Sequence, residues 1–491
     1  MRTTFGSLNT ANSGLFASRK ALDVISHNIA NAETEGYSRQ VVKQRASTPI
    51  WGDPRGIIGT GVETYNIVRI RNEFLDKKYW TQNRAVGQWG IKQQSLESLE
   101  SIFNEPSDTG LRQVIDEFFV ALDELAKKTG DSTRRIAVVE TANTLAKTVN
   151  RHGNEIISAI REVNEEVKSK VDEINSLAFQ IAAINKQIFN MELGDSQAND
   201  LRDQRNVLID KLSKIIDISV STTKDKNNNE YLNIKIGGIT LVDHTNYSEM
   251  AYVEEDVPGI SDLGAGKMAK IVWKGLESQE VKIQSGELKG LLDVRDGNGV
   301  GLNYRGLPYY LEKLNEFARE FSNKVNEIHR KGIDFNGKAG GNFFDVPDGN
   351  PDNINCLNFA VYGALLADAN LIAASSDMGG ESNNENLKNI IELKNKTDMF
   401  SSTKGTPDDF VKALLSSLAV DAEHAKRMSI NSQVLIADTE NRRMSVSGVL
   451  LDEEMGNMVK FSEAYNASAR MVTTLDAILD TTINKLGLVG R

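Results

Sequence analysis

From Leu8 to Ile29 the apolar positions step by three and four residues: Leu8, Ala11, Leu15, Ser18, Leu22, Ile25 and Ile29. That spacing is an a/d heptad stripe and predicts one long helix. Asn28 and Asn31 close the helix, and Gly36 supplies the positive-φ freedom a turn needs before Tyr37. The other terminus mirrors this pattern. Leu451, Met455, Met458, Ser462, Tyr465, Ala469, Val472, Asp476, Leu479, Ile483 and Leu486 keep the same steps, and Phe461, Leu475 and Ile478 widen the stripe. No proline interrupts either segment, although Gly456 weakens one turn of the second.

Each end of the chain is therefore a striped helix that needs a partner. Ordering about 25 residues costs roughly 1–2 kcal/mol per residue in backbone entropy. A large seam side chain returns only about 1.5–3 kcal/mol when fully buried, and Ala11 and Ser18 add little. Isolated helices are marginal in water in any case. Two arrangements satisfy the periodicity: ends packed on each other and on neighbouring copies, or a helical hairpin closed within one chain.

Further helical stripes fill the interior. Ile160, Val167, Val171, Ile174, Ala178, Ile181 and Ile188 predict a helix of roughly 40 residues. Leu201, Leu208, Leu212 and Ile215 predict the next. Tyr310 to His329 is amphipathic through Leu311, Leu314, Phe317, Phe321, Val325 and Ile328, and Phe410 to Met444 through Leu414, Leu418, Ala422, Ala425, Met428 and Val434. Between them the period changes to two. Ile218, Val220 and Thr222 alternate, Lys224 to Glu230 is a polar turn, and Leu232, Ile234 and Ile236 alternate before Gly237-Gly238; 240–242 and 269–273 are also β-rich. Residues 331–405 are rich in glycine and asparagine, with Gly340-Gly341, Gly379-Gly380 and a loop at 348–353, and read as exposed loops with short elements.

The expected fold is mainly α with inserted β. It is an elongated multi-domain chain with N- and C-terminal helices paired as a coiled coil, a helical-bundle middle domain and a small β-rich outer domain. The expected division is 1–40 with 445–491 as the terminal domain, 41–216 with 286–335 and 405–444 as the middle domain, 217–285 as the β-rich piece, and 336–404 as a loop-rich outer segment.

Composition narrows the function. A chain of 491 residues is too long for one ordinary core. Its 40 % hydrophobic and 25 % charged content is that of a globular protein. No run of 18 apolar residues occurs, so no membrane insertion is expected. Residues 1–30 lack an apolar stretch behind a basic flank, so no conventional secretory signal is expected. One cysteine, Cys356, excludes an internal disulfide framework. A net charge of −11 argues against nucleic acid as a partner.

The search for chemistry returns little. Gly264-Ala265-Gly266-Lys267 has Ser261 and Met268 where a phosphate-binding loop needs glycine and a hydroxyl. The stretches 296–301 and 334–339 resemble calcium loops only at their first and third positions, and Ala339 replaces the required glycine of the second. His27, His152, His244, His329 and His424 show no metal-ligand spacing. His329, near a helix end, reads as a surface or capping group. Glu453-Glu454 reads as a carboxylate pair on a solvated helix face. No catalytic, cofactor or metal site is expected.

The termini also carry a motif. Leu22-Asp23-Val24-Ile25-Ser26-His27-Asn28-Ile29-Ala30-Asn31-Ala32, followed by Thr34-Glu35-Gly36-Tyr37, resembles the N-terminal signature of flagellar rod, hook and hook-associated proteins. Three C-terminal stretches are more discriminating: Asp452-Glu453-Glu454-Met455, Tyr465-Asn466-Ala467-Ser468-Ala469-Arg470 and Asp480-Thr481-Thr482-Ile483. They resemble the hook-associated members that form the hook–filament junction. Asn199-Asp200-Leu201-Arg202-Asp203-Gln204-Arg205-Asn206, Gly286 to Asp293, and Val325-Asn326-Glu327-Ile328-His329 agree. The likeness covers most of the chain and is weakest at 220–285 and 335–405.

The resemblance implies a non-enzymatic junction subunit with no cofactor. Its implied partners are copies of itself in a ring, the hook protein, the adjoining hook-associated protein on the filament side, and an export chaperone holding the C-terminal helix. It implies location in the extracellular flagellum after type III export without a cleaved signal. The residues expected to mediate self-assembly are Leu8, Leu15, Leu22, Ile25, Asn28, Ile29, Asn31, Gly36 and Tyr37, with Met455, Met458, Tyr465, Val472, Leu479 and Ile483. Leu22, Ile25 and Ile29 are expected against the C-terminal helix around Tyr465, Val472 and Leu479, and Asn28, Asn31, Gly36 and Tyr37 as a helix stop and turn. A hook or rod subunit is the alternative within the class. An exported adhesin or cell-wall hydrolase is the alternative outside it, separable by surface binding of the 217–290 fragment or by turnover of peptidoglycan.

Overall fold

The computed structural model describes residues 6–53, 56–103, 110–193, 197–224, 230–377, 383–402 and 404–485. Leu486, Gly379-Gly380 and positions 225–229 of the polar turn lie outside the described residues. In chain order the first elements are α1 (Gly6–Ala30), β1 (Gln40–Ala46), β2 (Ile50–Asp53), β3 (Gly56–Ile58), β4 (Val62–Arg69), α2 (Glu73–Phe103), α3 (Leu111–Lys127), α4 (Ser132–Met191) and α5 (Asn199–Ile215). Strands β5 (Ser219–Lys224), β6 (Glu230–Ile236), β7 (Ile239–Asp243), β8 (Asn246–Tyr247), β9 (Met250–Glu255), β10 (Met268–Trp273) and β11 (Leu276–Glu280) follow. The chain closes with α6 (Glu287–Asp296), α7 (Leu307–His329), α8 (Gly363–Ala367), α9 (Glu385–Glu392), α10 (Pro407–Ser447) and α11 (Leu451–Asp480).

Two compact units form: one from 1–84, 173–249 and 433–491, the other from 85–172 and 250–432. Helices α2, α4 and α10 contribute residues to both. The terminal helices pair, as the two stripes require.

In the first unit β1 and β4 make an antiparallel hairpin, extended by the shorter pair β2–β3. The sheet β5-β6-β7-β8 buries Leu232, Ile234, Ile236, Leu241 and Val242. Gly237 and Gly238 both take positive φ and close β6 onto β7 in a two-residue turn. The β-rich span thus resolves into two sheets, because β9, β10 and β11 form a separate one in the second unit.

The second unit is built on aromatic packing. Phe118, Phe119, Phe317, Phe321, Phe343, Phe344, Phe359 and Phe410 are fully buried, with ring centroids 6.0 Å apart for Phe118–Phe321 and 4.7 Å for Phe344–Phe359. This corrects the reading of 331–405 as exposed loops: the segment buries Phe343, Phe344, Phe359, Ile372 and Phe400, and Leu387 and Ile390 on α9. Glycine and asparagine there mark tight turns, and the sparse large side chains between them point inward.

Helix α4 runs 60 residues, longer than the roughly 40 expected from its heptads. Gly153 does not break it, because a Cβ there would stand 2.5 Å from Cys356 Sγ: the glycine makes room for a neighbour. Helix α10 starts at a reciprocal cap, Thr406 Oγ1 accepting from Asp409 N (3.1 Å) while Asp409 Oδ2 accepts from Thr406 N (3.1 Å), with Pro407 in the first turn. Val434, on its expected stripe, instead faces outward.

Candidate functional site

The paired termini are antiparallel. A Cβ on Gly14 would lie 3.2 Å from Ser468 Oγ, and Asn28 bonds to Glu454, so fourteen steps along α1 match fourteen back along α11. This register corrects the expected seam. Leu22 and Ile25 fall level with 460 and 457, near Met458 and Phe461, whereas Tyr465 falls level with Ala17. The spacing predicts which face each helix buries but not how far one slides along the other.

Small residues decide the packing of α1. Ala11, Ser18 and Ile25 are buried, while Leu8, Leu15, Leu22 and Ile29 are half-buried. A further line of Ala17, Ala21, Val24 and Asn28 is also buried. On that side Ser13 Oγ accepts from Val62 N (3.2 Å), and a Cβ on Gly61 would stand 2.1 Å from Ser13 Oγ. At Gly61, just before β4, the chain therefore passes the helix with only the glycine hydrogens facing Ser13.

On α11, Met458, Tyr465, Val472 and Leu479 are half-buried and Met455 is exposed, as is Ile483 in the helical turn that follows at 481–485. Among the described residues Glu454 is the one buried side chain of α11. Exposed apolar side chains include Val459 at 65 %, Met471 at 56 % and Ile478 at 55 %. A 30-residue helix that buries a glutamate and leaves Met455, Val459, Met471 and Ile478 outside is unfinished as a packed element.

The polar signature residues form the fixed end of this pair. Asn28, 1 % exposed, donates through Nδ2 to Gln40 O (2.9 Å) and Glu454 Oε2 (3.0 Å). Its Oδ1 accepts from Gln40 N (3.0 Å) and the Tyr37 hydroxyl (2.8 Å). The hydroxyl proton being used, His27 Nδ1–H donates to the Tyr37 oxygen at 2.9 Å. Burial, then the carboxylates of Asp200 and Asp203, push the Tyr37 phenol above its ordinary range and keep it a neutral donor. Asn31 Nδ2 donates to His27 O (3.0 Å), closing the last turn of α1. Gly36 has φ +74°, and a Cβ there would stand 2.1 Å from Val207 Cγ2. Asn28, Asn31, Gly36 and Tyr37 thus stop the helix and shape the turn.

Residues 38–40 then bolt this turn to everything around it. Ser38 donates to both oxygens of Asp203 (2.9 and 2.8 Å), which also accepts from Arg69 (2.7 Å). Arg39 donates through its side chain to Glu454 Oε1 (2.7 Å) and Glu453 Oε2 (2.9 Å), and through its backbone N–H to Ser447 O (2.8 Å). Gln40 binds Asp200 (2.7 Å) and Asn199 (3.0 Å). Glu454 is therefore a paired interior group and not half of a solvated carboxylate pair.

The 199–206 motif supplies the other half of the bolt. The buried face of α5 carries Asn199, Asp203, Arg205 and Asn206 as well as Ile209 and Leu212. Arg202 forks onto both oxygens of Glu192 (2.7 and 2.8 Å), and Arg205 reaches Glu230 (3.0 Å). Burial, despite Glu230, draws the Arg205 guanidinium down to about 10. Leu201 and Leu208, read as its core stripe, are only half-buried. Arg443 binds Asp210 (2.6 Å), whose other oxygen accepts from Trp80 Nε1 (2.6 Å).

Sequence reasoning did not assign roles to Ser38, Arg39, Gln40, Asp203 or Glu454. For Asp203 on α5 and Glu454 on α11 the available signal was a polar side chain at a position whose helical spacing turns it inward; Ser38, Arg39 and Gln40 lie outside the helices and carried no such signal. His329, expected near the surface, is 1 % exposed with both ring nitrogens bonded to backbone. In the turn at 264–267, Arg161 donates to Gly264 O, and Asp334 accepts from Lys338 N (2.8 Å). Among the described residues no group of three histidine, cysteine or acidic side chains is placed to hold a metal, and no helix is long and apolar enough to cross a membrane.

The comparisons with known proteins bear on this arrangement. Residues 96–344 match the family model described as the flagellar hook-associated protein FlgK helical domain. The flagellar hook-associated protein 1 of Bacillus subtilis (strain 168) is 32 % identical, covering 100 % of both chains. The chain belongs to the flagellar hook-associated protein 1 family. A second member, from Escherichia coli (strain K12), is 23 % identical over 97 % of this chain and 99 % of its own. The flagellar hook junction protein FlgK from Burkholderia pseudomallei shares the fold at TM-score 0.61 and 15 % identity, covering 77 % of this chain and 100 % of that one. Residues 8–37 match the flagella basal body rod protein family and 440–486 the C-terminal region of flagellar basal body rod FlgEFG proteins. Those two matches coincide with α1 and its turn, and with the end of α10 and α11. What this chain has in common with the rod protein families is thus its two terminal helical stretches, 8–37 and 440–486.

Proposed function

We propose that this chain is a non-enzymatic structural subunit of the bacterial flagellum at the junction between hook and filament, assembled through α1 and α11. Family membership supports the place. The state of α11 supports the mode: it is anchored at Glu454 yet exposes Met455, Val459, Met471 and Ile478, with Ile483 exposed just beyond its end. Burying such side chains returns about 1.5–3 kcal/mol each, and copies of the same chain offer the complementary helices. The half-buried Leu8, Leu15, Leu22, Ile29, Met458, Tyr465, Val472 and Leu479 complete the contact, while Asn28, Asn31, Gly36 and Tyr37 hold its geometry.

The partners are other copies in a ring, the hook protein on one side and the next hook-associated protein on the filament side. The chain leaves the cell by type III export without a cleaved signal, and an export chaperone covers the apolar side of α11 beforehand. The terminal pair, the helical middle and the loop- and β-rich pieces divide the labour between polymerisation and the ring's outer surface.

Imaging cells that lack the protein tests this. Hooks bearing no filament, with flagellin released to the medium, are the expected result. Normal filaments in such cells, or on cells carrying only the chain without residues 1–30, would overturn it.

A further inference from the structure

Helix α7 ends in Asn326-Glu327-Ile328-His329, where Asn326 and His329 lie one turn apart on the same face. Both are buried. Asn326 Oδ1 accepts from Phe343 N (2.7 Å) and Phe344 N (2.8 Å), and its Nδ2 donates to Phe344 O (3.0 Å). His329 holds two other pieces of the same loop region. Its Nε2 lies 2.9 Å from Ala373 N and its Nδ1 2.8 Å from Gly341 O.

The donors fix the protonation state. The Ala373 N–H can only donate, so Nε2 must present a lone pair. The ring proton is therefore on Nδ1, where it donates to Gly341 O. The ring is neutral and both nitrogens are satisfied. Its surroundings leave little slack. A Cβ on Gly340 would stand 2.2 Å from His329 O and 2.6 Å from Ala373 Cβ, and one on Gly332 would stand 2.1 Å from Asn386 Nδ2. Asn386 Nδ2 in turn donates to Ala373 O (2.8 Å), and Ile333 N to Ser375 O (2.8 Å).

We propose that Asn326 and His329 form a two-part clasp, and that protonation of His329 opens its half, freeing 372–375 from α7 while Asn326 keeps 343–344 in place. A second ring proton can only enter at Nε2. It would there face the Ala373 N–H donor to donor, in a site closed to water, with the acceptor lost and a cation left unsolvated. Moving 372–375 relieves all three. The amide of Asn326 does not titrate, so its half has no such trigger.

Among the described residues no charged group stands as a counter-ion in contact with the ring, whose nitrogens meet Ala373 N and Gly341 O. On α7 itself Glu327 pairs with Lys331 (2.9 Å) and Arg330 binds Asn342 (2.6 Å). The packed segments bring Asp334 and Lys338, Asp345, Asp368 and Asp377, with Glu385 and Lys388 on α9. Arg135 of α4 donates to Ile372 O (2.9 Å) and keeps its charge throughout. Burial draws the ring below its ordinary value of 6.5, while the bond to Gly341 O and the field of Asp334 pull it partly back. The released ring takes its proton near the ordinary value. The hold on 372–375 is therefore complete above that value and weakens as pH falls toward the clasped value.

Amide hydrogen exchange on the full chain, corrected for intrinsic rates, tests the clasp between about pH 7.5 and about pH 4.5. One-proton linkage lets protection at Ala373 fall by up to about tenfold per pH unit. Phe343 and Phe344 are expected to keep theirs, and His329→Gln to remove the pH dependence at Ala373. Loss of protection at Phe343 and Phe344 together with Ala373, or the same pH dependence in the variant, would overturn the proposal. Should His329→Gln not fold, the ring nitrogen shifts of the unaltered chain decide: His329 charging with Ala373 still protected also overturns it.

Discussion

Asn28 and Glu454, 426 positions apart, share a buried hydrogen bond of 3.0 Å that fixes the register of the two chain ends. The amide serves both as a helix stop and as the donor that lets a carboxylate be buried on α11. Asn28→Leu removes two donors and one acceptor at once, leaving the Gln40 backbone, the Tyr37 hydroxyl and one Glu454 oxygen short of partners. A loss of about 2–4 kcal/mol in unfolding free energy is expected, since each orphaned buried group costs roughly 1–3 kcal/mol. Denaturant melts read it. Asn28→Asp should be at least as harmful because it sets a second carboxylate against Glu454, and equal stability of Asp and Asn at this position would contradict the bonding described.

Gly36 is required twice over, by its φ of +74° and by Val207. Gly36→Ala adds a left-handed penalty of about 1–2 kcal/mol to a clash with a side chain 2.1 Å away. Combining it with Val207→Ala should recover the clash but not the backbone penalty. A double-mutant cycle with no coupling between the two sites would show that the turn, not the contact, sets the requirement.

These two positions show what was legible in the sequence. The stop at Asn28–Asn31 and the turn at Gly36 follow from helix termination, and the long stripes name their own helices. Helix α3 was legible too, with Leu111, Val114, Ile115, Phe118, Phe119, Leu122 and Leu125 all buried at helical spacing, but the sequence reading did not single it out. The β1–β4 hairpin was not foreseen, because its burial is slight and its strands do not alternate cleanly. The bolt was hidden for a different reason. Asp203, Arg69 and Glu454 come from distant stretches, and a charged side chain reads as surface until the partner that neutralises it is known.

His152 is fully buried in the second unit, with neither ring nitrogen hydrogen-bonded to a side chain. Burial, helped by Arg151 and partly opposed by the Ile102 backbone, holds it down to about 4 from an ordinary 6.5. The unfolded chain therefore binds a proton that the folded one refuses, and stability falls as pH drops from 6.5 toward 4. The loss approaches about 3 kcal/mol at one pH unit per 1.36 kcal/mol. His152→Leu should flatten that slope and leave stability near neutral pH unchanged or higher, because no side-chain hydrogen bond is lost. Urea midpoints across this range are the measurement, and an undiminished slope in the variant would assign the acid sensitivity elsewhere.

Met471 and Ile478 separate folding from assembly. Both are more than half exposed on α11, so Met471→Glu and Ile478→Glu should change the stability of the isolated chain by no more than about 0.5 kcal/mol. In an assembled ring the same carboxylates would be driven against apolar surface at a cost of several kcal/mol each. The variants are expected to melt like the parent, to be exported normally, and to appear in the medium instead of on the hook. Asn28→Leu offers the contrast, losing stability before any contact with a neighbour. If both glutamate variants are incorporated and support filaments at parental frequency, the outer face of α11 is not what neighbouring copies bury.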